Sequence, residues 1–117
     1  MGAQELKFGL AVEGCPVAVL NGVYAAAGEW DGRPLYRHAA AGSEDTALYW
    51  CRGTDTWTFH RRYSELSAEQ KQKRGTGRAY RAAAAGGAVP VGPSPAPWQC
   101  WIGSQWAERQ VTVRALP

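Results

Sequence analysis

The chain has 117 residues and a formal net charge of +3, from 13 lysines and arginines against 10 aspartates and glutamates. That length holds one domain with a modest core, and the small positive balance falls short of the charge excess of a dedicated nucleic-acid binder. Six tryptophans and five tyrosines stand beside two phenylalanines and one methionine, and side chains with an apolar body and a polar tip suit half-buried positions and interfaces.

The opening MGAQELKFGLAVEG mixes charge with apolar residues and lacks the apolar run of a signal peptide. Leu6 stands where a myristoylation signal after Gly2 requires Ser or Thr. No stretch approaches the ~18 apolar residues of a membrane span. The expectation is a soluble chain, cytoplasmic if complete. An N-terminal segment over 1–20 adds one or two strands ending at 17–20, and a single Trp-rich β domain covers 21–117.

Gly and Pro punctuate the rest of the chain. Asp31-Gly32 favours a type I′ hairpin turn, whereas Gly53-Thr54 and Gly103-Ser104, with glycine first, favour type II′. In VYAAAGEWDGRPLYRHA this places Trp30 opposite Arg33 as a cation–π pair. Leu35 and Tyr36 point to opposite faces, so one of them reaches the core. Pro34 has no amide donor, which puts its strand near an edge or beside a bulge. In LYWCRGTDTWTF, Arg52 faces Asp55 as an ion pair and Trp50 faces Trp57. Leu48, Trp50, Trp57 and Phe59 line an apolar face, with Tyr49, Cys51, Thr56 and Thr58 on the other, the pattern of a half-buried antiparallel pair.

Ser67 followed by Gln70 reads as a capping box, with Gly75 as a stop, so a short helix or turn is expected near 67–73. GRAYRAAAA returns as a strand around Tyr80, and GGAVPVGPSPAPW is a Pro- and Gly-rich connector. In APWQCWIGSQW, the third turn places Trp101 opposite Trp106 and Trp98 opposite Arg109. Trp98, Cys100, Ile102, Ala107, Val111 and Val113 share an apolar side. Trp101 and Trp106 share the other with Gln99, Glu108, Gln110, Thr112 and Arg114. The fold expectation is all-β: an antiparallel meander of about six to eight short strands closed as a small barrel or sandwich.

The order of these signals resembles a small Trp/Tyr-rich β module of multidomain algal and marine invertebrate proteins. Its recurrent features match Asn21, Gly22, Tyr24, Gly28, Gly32, Arg33, Pro34, Tyr36, Leu48, Tyr49, Trp57, Tyr80, Trp98, Trp101, Gly103 and Trp106, over residues 21 to about 113. The resemblance implies no activity, ligand or catalytic residue, and the basic stretch 67–78 is longer than the module carries at that point.

Candidate chemistry is sparse. His38 and His60 are the near-neutral bases, and no spacing favours a Cys51–His60 dyad. Asp31, Asp45 and Asp55 fall in turns, where Asp hydrogen-bonds the backbone. Cys15, Cys51 and Cys100 are an odd, widely spaced set, read as three reduced, partly buried thiols with a Cys51–Cys100 bridge as the alternative. There is no C-x-x-C and no His–His spacing, so no metal and no cofactor is expected, and GTG at 75–77 lacks the strand and helix of a phosphate loop. A tryptophan pair on a polar face is either covered by the connector or the N-terminal segment, or used. The reading is a non-catalytic binding or interaction module that presents Trp101 and Trp106, with Trp30 and Arg33, to a glycan, peptide or protein. The alternative is single-stranded nucleic-acid binding through Lys71, Lys73, Arg74, Arg78 and Arg81.

Overall fold

Turn chemistry sets the topology. Asp31 and Gly32 both take positive φ, 55° and 79°, as a type I′ turn requires, and Gly103 leads its turn at φ 106°. The computed structural model describes residues 9–40, 45–53, 56–72, 79–82 and 98–116, with the backbone alone at 72 and 79–82. Its strands are β1 (Leu10–Glu13), β2 (Gly22–Trp30), β3 (Arg33–His38), β4 (Ala47–Cys51), β5 (Thr56–His60), β6 (Ala79–Ala82), β7 (Trp98–Trp101), β8 (Trp106–Arg109) and β9 (Thr112–Ala115). All pairings are antiparallel, in the order β8-β7-β6-β5-β4-β3-β2-β1-β9.

The expected registers are observed residue for residue: Trp30 opposite Arg33, Trp50 opposite Trp57, and Trp101 opposite Trp106. Ile102 N–H donates to the Gln105 carbonyl at 3.0 Å, holding the third hairpin end. Strands β8 and β9, at opposite ends of the sheet order, are separated in the chain by Gln110 and Val111 alone. They act as one bent strand, pairing first with β7 and then with β1, so the chain bridges both ends of a curled sheet. This is the small all-β meander that the turn signals predict.

The concave face encloses the main core. Leu10, Tyr24, Tyr36, Leu48, Phe59, Trp98 and Val113 belong to one buried cluster although they come from seven strands. Phe59 joins the two halves, its ring centroid 5.1 Å from Trp98 and 5.5 Å from Tyr24. The convex face carries a second cluster of Leu35, Ala47, Tyr49, Cys51 and Tyr63, with Trp30 and Leu66 against it. Both Leu35 and Tyr36 are therefore buried, one on each face, and β4 and β5 are buried at every position. The half-buried expectation for this hairpin is corrected: segment 61–66 covers its outer face.

A bulge sends Trp30 outward. The β2–β3 register shifts between Ala26 and Glu29, so Ala27 and Gly28 together face Leu35, with Gly28 at φ 99°. Strict alternation from Tyr24 turns residue 30 inward; the extra residue turns it outward onto the second cluster. The irregularity lies on the partner strand next to the Glu29–Pro34 pair.

One further expectation is corrected. Residues 17–20 are not a strand end: Ala18–Leu20 is a single 3-10 turn. The Asn21 side chain accepts from the Cys15 N–H at 2.8 Å and donates to the Cys15 carbonyl at 2.9 Å, satisfying groups that a strand would offer to a neighbour. The capping box is present, with Ser67 N–H to Gln70 Oε1 at 2.8 Å and Gln70 N–H to Ser67 Oγ at 3.1 Å, and it opens the 3-10 turn Gln70–Gln72, the short helix or turn expected near 67–73. No helix among the described residues is long and apolar enough to cross a membrane.

Candidate functional site

Each strand of a meander reverses direction, so successive connections alternate between the two ends of the sheet. The Asp31-Gly32 turn lies at one end. The β1–β2 connection, the start of the β5–β6 connection and the Gly103-Ser104 turn lie at the other. Trp30 and Arg33 are thus at the opposite end from the Gly103-Ser104 turn, and three strands stand between the β2–β3 and β7–β8 hairpins. The four aromatic and basic residues expected to form one surface are divided.

At the second end is a cleft of about 380 Å³, lined by Pro16, Val17, Arg61, Trp101, Ile102 and Gly103. Trp101 and Trp106 meet edge to face, with centroids 5.5 Å apart and planes at 66°. Both are half-buried, neither bare nor sealed. Of the two expected covers, the N-terminal segment contributes Pro16 and Val17 beside Trp101; the connector at 86–97 lies outside the described residues. Ile102, expected on the core side, is 37% exposed. It follows the last residue of β7 and so sits beyond the core, at the rim of the cleft. Among the described lining residues, Arg61 carries the one charged side chain.

The basic residues have other duties where they are described. The guanidinium carbon of Arg33 lies 4.7 Å from the centroid of Trp50. The cation over Trp30 is Lys71, with Nζ 4.4 Å from that ring and 4.3 Å from Tyr63. Arg52 bridges to Asp31 at 3.2 Å, whereas its expected partner Asp55 lies outside the described residues. Lys73, Arg74 and Arg78 lie outside them too, and Arg81 is placed by its backbone opposite Trp57.

An acidic knot secures the outer cover. Asp45, at φ 57°, accepts from Arg37 at 2.7 Å and from the Ser64 N–H at 2.6 Å. Arg37 also lies 5.2 Å from the Tyr63 ring centroid. Burial alone raises the Asp45 pKa, but the hydrogen bonds from Ser64 and the Arg37 charge outweigh it and hold the carboxyl below its ordinary value. Burial, reinforced by neighbouring cysteines, pushes the Tyr24 and Tyr49 hydroxyls well above the ordinary range, so both stay neutral.

The histidines are built into the frame. His38 is 2.8 Å from the Asn21 carbonyl through Nε2 and accepts from Ala40 N–H at 3.1 Å through Nδ1. His60 pairs with Ala47 while Cys51 pairs with Thr56. Four strand positions, about 13 Å, separate Cys51 and His60, so the two do not form a dyad. Among the described residues no group of three His, Cys, Asp or Glu side chains converges as a metal site.

All three cysteines are buried and free. Cys51 belongs to the outer cluster and Cys100 to the inner one, so the Cys51–Cys100 bridge is corrected. Cys15 and Cys100 both belong to the inner cluster. Sequence reasoning missed that shared place and the lining by Arg61, Pro16 and Val17. The signal present in the sequence is modest: Cys15 precedes Pro16, and Cys100 precedes Trp101. No family model, curated protein or solved structure matches this chain.

Proposed function

We propose that the chain is a non-catalytic binding module whose Trp101 cleft takes an extended peptide segment of a protein partner. An apolar side chain of that segment lies against Trp101, Val17 and Ile102, and its carbonyl or carboxylate group meets Arg61. The supporting observation is the cleft itself: a concave lining in which the side chains of Trp101, Val17 and Ile102 stand beside one guanidinium, Arg61. A sugar ring carries hydroxyls around its edge and needs several polar side-chain partners to replace water; Arg61 and the Trp101 indole are the polar side chains among the described lining residues, which favours a peptide over the glycan alternative. Trp106, edge to face with Trp101, sets the angle of the platform.

The test is a peptide library that places an apolar residue beside an acidic one, run alongside a glycan array. Hits are re-measured with Trp101→Ala and Arg61→Ala. The reading expects peptide hits that lose about tenfold in affinity, roughly 1.4 kcal/mol, with either variant while the fold persists. Glycan hits without peptide hits, or peptide hits indifferent to both substitutions, would contradict it. Binding of a single-stranded oligonucleotide that falls steeply with salt would instead favour the basic segment 71–81. Lys71, held over two rings, is the described residue least suited to that role.

A further inference from the structure

Trp30 lies at the opposite end of the sheet from the Trp101 cleft, so the peptide reading leaves it without a role. Two devices fix it there. The bulge between Ala26 and Glu29 turns its side chain onto the outer cluster, and the Asp31–Arg52 bridge at 3.2 Å ties the turn that follows it to the next hairpin. Tyr63 is fixed by different ones. Its N–H donates to the Asp45 carbonyl at 3.0 Å, and the Tyr49 ring backs it with centroids 5.3 Å apart. Two rings from distant parts of the chain thus meet, each held without help from the other.

Both rings share one cation. Lys71 Nζ is 4.4 Å from the Trp30 centroid and 4.3 Å from the Tyr63 centroid, inside the roughly 6 Å reach of a cation–π contact for each. Among the described residues no carboxylate or carbonyl takes a hydrogen bond from that ammonium. An ammonium has three N–H donors, and those turned toward ring faces give up water without a replacement acceptor. A trimethylammonium keeps the charge and has no N–H to satisfy, so it suits the same two faces better. The present occupant is also exchangeable. Lys71 sits on a strap whose residues 67–70 are exposed, with its own N–H to the Ser67 carbonyl at 3.1 Å. Arg37, the other cation over Tyr63, is committed to Asp45 at 2.7 Å.

We infer that Trp30 and Tyr63 form a cage for a trimethylated lysine side chain of a protein partner, filled in the free chain by Lys71. The resident occupant is itself a lysine, so the cage already accepts a flexible four-carbon stem that ends in a cation. That favours a lysine-derived group over a free quaternary amine or a lipid headgroup. Lys71 is a tethered competitor, present at the high local concentration that a short chain connection gives. An unmodified lysine from a partner offers nothing that Lys71 lacks and does not displace it. A trimethylated one gains the difference in desolvation and does. The rings are fixed before the ligand arrives, so binding costs little ordering of the cage. The site is independent of what the Trp101 cleft binds.

The experiment titrates the full, isotope-labelled chain with short peptides that carry one trimethyllysine, the same lysine unmodified, or a neutral tert-butyl isostere. The Trp30 indole N–H is buried and has no hydrogen-bond partner, so its NMR signal, assigned by its loss in Trp30→Leu, reports on the ring. The trimethyllysine peptide should shift that signal with a Kd on the order of 1 mM, and the other two peptides should bind about tenfold more weakly. Lys71→Ala removes the tethered competitor and should tighten the trimethyllysine peptide about threefold. This gain does not depend on whether Trp30→Leu folds. The inference is overturned by equal binding of the unmodified or the neutral peptide. It is overturned too by Lys71→Ala that binds no more tightly, the result for a lysine that only anchors the strap. A signal that moves with choline or phosphatidylcholine vesicles but with none of the peptides, or with nothing, also overturns it.

Discussion

The β4–β5 and β7–β8 hairpins are built alike and used differently. Each has a glycine-led turn and a tryptophan opposite a tryptophan, with ring centroids 5.8 and 5.5 Å apart and planes at 62° and 66°. Trp50 and Trp57 are 6% and 1% exposed, whereas Trp101 and Trp106 are half-buried. The cause is parity. Trp50 lies three residues before its turn glycine, and Trp101 lies two before its own. A shift of one residue along a strand moves a side chain to the other face of the sheet. The same pair geometry is therefore a core staple in one hairpin and an outer platform in the other.

Substitutions test that contrast, the largest effect first. Trp57→Ala opens the centre of the core and should cost about 3–5 kcal/mol in urea denaturation. Trp106→Ala should cost about 1 kcal/mol, because that ring is already partly exposed, and a double-mutant cycle with Trp101 should give a coupling of about 0.5–1.5 kcal/mol. If Trp106→Ala destabilises as much as Trp57→Ala, the two pairs have the same role.

The outer cover of β4–β5 offers two subtler tests. Asp45→Asn loosens the knot at Ser64 and Arg37 and should cost about 1 kcal/mol near neutral pH, given its partial exposure. The folded carboxyl has a lowered pKa, so its contribution is present above the ordinary carboxylate range and is lost as pH falls through the folded value. Melting curves of the two chains should therefore begin to approach each other below about pH 4 and meet only below the folded value; a gap that does not narrow as pH falls would place the effect in packing. Lys71→Met keeps the stem and removes the charge over Trp30 and Tyr63, so a loss of about 0.5 kcal/mol is expected by the same denaturation assay.

The hairpins are legible in the sequence because turn residues and alternation are local. Asp31-Gly32 and Gly103-Ser104 set registers that long-range packing does not alter. The outer cluster is not legible. Tyr63 and Leu66 sit in a charged, polar stretch, RRYSELSAEQ, that reads as solvated, and their burial depends on Asp45 fixing Ser64 from a distant loop. Alternation pairs Arg33 with Trp30, the ring directly across its hairpin, and that register is observed, but the Arg33 guanidinium lies over Trp50. The cleft depends on the β1–β2 connection meeting the third hairpin, and the bend at Gln110 and Val111 that links β8 to β9 carries no turn signature.

The most direct test of the contrast is acrylamide quenching of tryptophan fluorescence in two double variants, Trp101→Phe with Trp106→Phe and Trp50→Phe with Trp57→Phe. The first pair of changes should remove much of the quencher-accessible emission. The second should leave that accessible emission in place and remove shielded emission. Equal loss of accessible emission from both variants, or none from the first, would contradict the assignment of one pair to the core and the other to a surface.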